Sequence, residues 1–203
     1  MGKVERRKHI LEEAARLFSS KRFDEVLMDD IAQGAGVAKG TLYTYFSDKE
    51  ELYFAVIFEG ISRLNEQIQA KAAGQKDPIK KLRKIVHSIV SFVSQNRFFF
   101  KLMSIEDSKS GTGKGENRAR WHEQRRIQLE AIQSVLVDGK RQGCFCIHHP
   151  DIEASILRDM VRSTITSAGG QLSVEEMVDI IMRIFVGGIE KETPAVTAET
   201  SAI

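Results

Sequence analysis

Residues 28–46, MDDIAQGAGVAKGTLYTYF, constrain the fold more than any other stretch of the chain. Their spacing predicts a helix, a tight turn and a second helix. Ile31, Ala35, Val37 and Leu42 supply a shared apolar core. Ala32 falls where the two helices touch, and a bulkier side chain there would drive them apart. Gly36 falls at the turn, where a positive φ is cheap only for glycine. The outer face of the second helix carries Lys39, Thr41, Thr44 and Tyr45. A unit of this geometry offers its second helix to a DNA major groove. Recognition, not catalysis, is therefore the expected chemistry.

The flanking sequence reads as helix throughout, giving an all-α fold of about nine helices. Ile10, Ala14, Leu17 and Phe18 recur at helical spacing over 4–20. Phe23 and Val26 are expected to plug the core from the connection that follows. Ser47, with Glu50 three residues on, forms a capping box for a long helix over about 48–72. Asp77 before Pro78 predicts an N-cap and first helical position, and the helix they open runs to about Gln95. Phe98, Phe99 and Phe100 would make a short helix apolar all round, hence buried. Residues 108–117, SKSGTGKGEN, read as a loop. Further helices are expected over 118–142, 150–168 and 174–189, the last opened by a Ser173/Glu176 capping box.

Composition narrows the function less than placement does. The chain has 203 residues, with 42% hydrophobic and 29% charged, the balance of a soluble globular protein. No apolar run reaches membrane-spanning length, and the charged start MGKVERRKHI lacks the apolar core of a signal peptide. The expected compartment is the cytoplasm. Net charge is only +2, so DNA affinity would have to rest on a few placed cations.

The stretch 9–52 resembles the tetracycline-repressor (TetR) family of bacterial transcription regulators. The matched pattern is Ile10, Leu11, Ala14, Ala15, Leu17 and Phe18, then Ile31-Ala32, Ala35-Gly36-Val37, Gly40-Thr41-Leu42-Tyr43, Phe46, Lys49-Glu50 and Leu52. The resemblance implies a recognition helix opened by Lys39, Gly40 and Thr41, with Tyr43, Thr44 and Tyr45 among the DNA contacts and Lys49 as a phosphate clamp. The chain departs from the pattern at Leu27 and Ala38, where the family usually has capping hydroxyls. Each loss removes about 1 kcal/mol of capping. The implied organisation is a helix-turn-helix domain over 1–50, an effector-binding and dimerisation domain over 51–192, and a disordered tail over 193–203. The implied setting is the bacterial cytoplasm, nucleoid-associated when DNA is bound.

The resemblance also implies a homodimer built by the last two helices. Leu157, Met160, Val161 and Ile165 of one, with Met177, Ile181, Ile184 and Phe185 of the other, are the candidate interface. The last helix is too apolar for one buried stripe. A two-fold dimer would present two recognition helices to a palindromic operator. A small hydrophobic or amphipathic effector would release it, held in a cavity among Phe92, Phe99, Phe100, Met103, Trp121 and Leu129, with Arg162 or Thr166 at its polar end. Control by a protein partner, or a helical ligand-binding protein that merely retains the motif, are the alternatives.

Three other features read as ordinary. Cys144, Cys146, His148 and His149 are too tightly spaced for the usual zinc pairs, so no metal and no cofactor is expected. SGTGKG (110–115) lacks the phosphate-loop spacing and follows no strand. Seven Lys/Arg over 76–101 read as a solvated helix face, with a second DNA-backbone contact or a mouth that attracts an anionic effector as the alternatives. No nucleophile–base pair stands at a catalytic spacing, so the chain is not expected to be an enzyme.

Overall fold

A computed structural model describes residues 2–108 and 116–189. All regular elements among them are helices: α1 (Lys3–Ser20), α2 (Met28–Gly34), α3 (Lys39–Tyr43), α4 (Lys49–Ala72), α5 (Pro78–Gln95), α6 (Arg97–Ser108), α7 (Glu116–Arg141), α8 (Pro150–Ala168) and α9 (Val174–Ile189). None is long and apolar enough to cross a membrane. The expected loop centre, 109–115, and the expected tail lie outside the described residues.

Helix α4 is the axis of the molecule. It packs against α1 on one side and against α5, α6 and α7 on the other. Leu52, Val56, Ile57, Ile61 and Leu64 are fully buried along it, a stripe wider than one neighbour could cover. The small N-terminal unit and the larger helical body are thus joined through one helix and share one continuous core. Helices α5, α7, α8 and α9 pack on each other in the body.

Local signals set most helix ends. The Asp77 carboxylate accepts from Ile79 N at 2.9 Å and Lys80 N at 3.1 Å, with Pro78 at the first position. Ser173 Oγ accepts from Glu176 N at 3.2 Å, and Glu176 accepts from Ser173 N at 2.8 Å. The box at α4 is shifted by one residue from the Ser47/Glu50 expectation. Asp48 is the N-cap and accepts from Glu51 N at 2.8 Å, while Glu51 accepts from Ser47 N at 2.6 Å and from Ser47 Oγ at 2.7 Å. Asp and Ser cap about equally well. The buried Phe46 and Leu52 on either side fix the register.

Two aromatic expectations are corrected. Phe98 is 49% exposed, while Phe99 is buried and Phe100 half-buried. Consecutive helical residues point about 100° apart, and only Phe99 is aimed at α4, where it meets Gly60 so closely that a Cβ there would run into the ring. Phe23 is 42% exposed, and it covers the core as a lid. Its ring lies 5.8 Å from Phe18 and 5.4 Å from Tyr53.

Candidate nucleic-acid interface and interhelical cavity

Helices α2 and α3 are held by what their short sequences bury. Ile31 and Leu42 are fully enclosed and Ala32 nearly so. Gly36 takes φ +65°, and Val37 N then reaches back to Ala32 O at 2.9 Å. That turn leaves one side of α3 facing solvent. Lys39, Gly40, Tyr43 and Thr44 are exposed there, and Thr41 is half-buried. Leu27 and Ala38 occupy the two N-cap positions with no side-chain cap, and Leu27 is 57% exposed.

Four of the expected contact residues hold partners within the protein, Thr44 through its Oγ1 donating to Thr41 O at 2.6 Å. Lys39 Nζ pairs with Asp29 at 2.8 Å, and this hydrogen bond, helped by the carboxylate's charge, raises the lysine pKa. Tyr45 turns back, its hydroxyl donating to Lys3 O at 3.2 Å. Lys49 Nζ donates to Val26 O at 3.0 Å and Asp24 O at 3.3 Å, and lies 4.7 Å from the centre of the Phe23 ring. Lys49 therefore closes the connection between α1 and α2. Gly40 has open space where a Cβ would stand, so nothing in the protein's own packing excludes a side chain there.

The interior space of the body is small. A cavity of about 30 Å³ lies among α4–α8, room for about one water. Of the expected lining, Phe100, Met103 and Arg162 reach it. Phe92, Phe99 and Trp121 are core residues and do not line it, and neither does Leu129, which packs against the core. Thr166 is on the surface, bonded to Arg162 O at 2.9 Å, and Arg162 is itself half-exposed.

Sequence reasoning missed the polar part of this cavity, Asp107, Arg125, Gln128 and Arg158. Arg125 and Gln128 share a helix face with the buried Trp121 and Ile132, so polar residues inside an apolar stripe were the available signal. Burial lowers the Arg125 pKa against the opposing pull of Asp107, 2.8 Å away. Nearby, Tyr53 of α4 donates to Glu106 of α6 at 2.7 Å in a buried bond. Burial, then Glu106, pushes this phenol upward.

The candidate dimer residues divide by burial. Leu157, Val161, Met177, Ile181 and Phe185 are enclosed within the protomer and have little or no area left for a partner. Met160 and Ile165 are half-buried, and Ile184 is 55% exposed. Ile152 and Ile156 add to that outer surface of α8, and Gly187 and Gly188 add an open stretch at the end of α9. Elsewhere, Cys146 Sγ lies 3.6 Å from His148 Nε2, and Cys144 is half-buried. Among the described residues no three His, Cys, Asp or Glu side chains are grouped to hold a metal ion.

Known proteins align with both halves. Residues 10–56 match the family model of bacterial regulatory proteins of the tetR family, and 75–189 match that of the tetracyclin repressor-like C-terminal domain. The chain is 40% identical over 98 residues to the HTH-type transcriptional regulator AcrR of Shigella flexneri, covering 46% of this chain and 44% of that protein. The match thus spans less than half the length of that relative. It is 23% identical over 193 residues to the HTH-type transcriptional repressor KstR2 of Mycobacterium tuberculosis, covering 92% and 94%. The TetR family transcriptional regulator PfmR from Thermus thermophilus superposes with a TM-score of 0.76 at 25% identity, covering 90% of this chain and 99% of that one. With both models matched in order, and the second alone spanning more than half its length, the chain belongs to the tetracycline-repressor (TetR) family of bacterial regulatory proteins.

Proposed function

We propose that the protein is a homodimeric transcriptional repressor that leaves a palindromic operator when a small hydrophobic or amphipathic effector enters its helical body. The observation that carries this reading is the α2–α3 unit, which buries one face completely and leaves Lys39, Gly40, Tyr43 and Thr44 outward. The repressor sign follows the name carried by KstR2. Tyr43 and Thr44 read base edges or phosphates, and Lys39 exchanges Asp29 for a phosphate. Lys49 and Tyr45 brace the unit from behind. Two copies joined through the outer faces of α8 and α9 set the spacing of two such units. The effector acts only through its differential affinity for two spacings, transmitted by α4.

The test is selection of bound sequences from random DNA by the purified protein. A palindromic site is expected, with affinity falling steeply as salt rises. Tyr43→Ala is expected to weaken that site about tenfold or more with unchanged thermal stability. Salt-insensitive binding without a palindrome would end the proposal. A second reading, control by a protein partner, is favoured by the 30 Å³ cavity, which has no room for an effector as it stands. It predicts that no small molecule releases the operator.

A further inference from the structure

The small cavity has an uneven chemistry. Helices α4 and α5 contribute only Leu64, Ile89 and Val93 to it. Helices α7 and α8 contribute four side chains rich in hydrogen-bond donors: Arg125, Gln128, Arg158 and Arg162. Two of those donors are buried and unpaired. Arg125 bonds Asp107 and Gln128 Oε1 through its terminal nitrogens, which leaves Nε without an acceptor. Gln128 is 2% exposed and its Nε2 is likewise without one. Buried donors left unpaired are disfavoured, so a place that keeps them suits an acceptor that arrives from outside.

The charges specify that acceptor further. Three guanidiniums line the cavity against one lining carboxylate, Asp107. Arg158 and Arg162 have Asp159 between them, at 3.3 and 3.9 Å, outside the lining. A cation would be repelled there, and a neutral apolar molecule would leave the donors unmet. An anion with several lone pairs meets both needs.

We propose that this cavity receives an amphipathic organic anion, an aliphatic chain ending in an oxyanion head. The head accepts from Arg125 Nε and Gln128 Nε2, with Arg158 and Arg162 completing its surround. The chain lies along Leu64, Ile89 and Val93. Entry requires the cavity to widen. Met103, an unbranched and adaptable side chain, and the half-exposed Arg162 are the groups placed to move. The proposal rests on the effector reading above and adds the chemistry of the ligand.

The chain's single tryptophan reports on this site, because the Arg125 guanidinium lies 5.5 Å from the Trp121 ring centre. The full-length protein is titrated with decanoate, decanoyl-coenzyme A and 1-decanol, following Trp121 emission and release from the selected operator. Decanoate is expected to bind about tenfold or more tightly than decanol. Tighter decanoyl-coenzyme A than decanoate overturns the oxyanion head, because a thioester carbonyl is neutral. Arg158→Gln and Arg162→Gln, which line the site, are expected to weaken decanoate about tenfold and leave decanol unchanged. Equal binding of decanol, or acyl binding untouched by both substitutions, overturns the head-group assignment while the effector reading stands. Operator binding that none of the three probes perturbs, with constant Trp121 emission, overturns both.

Discussion

Lys39 illustrates how single residues set DNA affinity in a chain whose net charge is near zero. Its ammonium is already paired with Asp29, so binding a phosphate means giving up that partner. Asp29→Asn is therefore expected to tighten operator binding about three- to tenfold at low salt, with the gain shrinking as salt rises. A gel-shift series over ionic strength measures it. Glu51 and Glu176 carry the pH dependence of two helix starts. Hydrogen bonds from Ser47 hold Glu51, and those from Ser173 hold Glu176, below the ordinary value of 4.5. Both carboxylates are thus stabilised when ionised. Their contribution is present above pH 4.5 and is lost as pH falls through the lower folded values. Carboxyl titration by NMR is expected to place both below their unfolded values, and Ser47→Ala to move Glu51 back up. Of these features, the Ser173–Glu176 pair was legible in the sequence because three residues along the chain decide it. The pairing of Lys39 with Asp29 was not, because it crosses a turn.

Among the elements, α6 touches different parts of the molecule with its two faces. Phe100, Met103, Ser104 and Asp107 line the cavity, while Glu106 binds Tyr53 of α4 and Phe99 presses on Gly60. Tyr53 in turn packs edge-on to Phe18, 5.1 Å away, and to Phe23, which sits under Lys49. A change in the cavity thereby has a packed route to the α1–α2 connection. Tyr53→Phe is expected to cost about 1.5–3 kcal/mol of stability and to leave operator affinity within about twofold. It is expected to raise the effector concentration needed for release. Denaturant unfolding and an effector titration of the operator complex measure the two effects. Sequence periodicity located α6 but not its orientation, since three consecutive phenylalanines offer three equivalent apolar directions. Only the neighbouring helices select Phe99 for the interior and leave Phe98 outside.

At the scale of the whole molecule, burial within one protomer separates core from partner surface. Ile184→Glu, on the outer face of α9, is expected to convert the proposed dimer to monomers in sedimentation equilibrium while the protomer keeps its melting behaviour. Leu157→Ala is expected to do the opposite. It should cost about 2–5 kcal/mol of protomer stability, because Leu157 is fully enclosed, without acting directly on association. The sequence by itself determined the helices, the caps of α5 and α9, the Gly36 turn and the family, because each depends on contacts a few residues apart or on a fixed local pattern. The tertiary structure alone decided which apolar faces of α8 and α9 point inward. It also decided that Lys49 braces the connection between α1 and α2 and that Arg125 and Gln128 stand as buried donors beside a small cavity. The physical reason is that burial and polar pairing depend on which distant helices arrive at a given face. A helix apolar on two sides, or a polar pair inside an apolar stripe, carries no local signal of what will meet it.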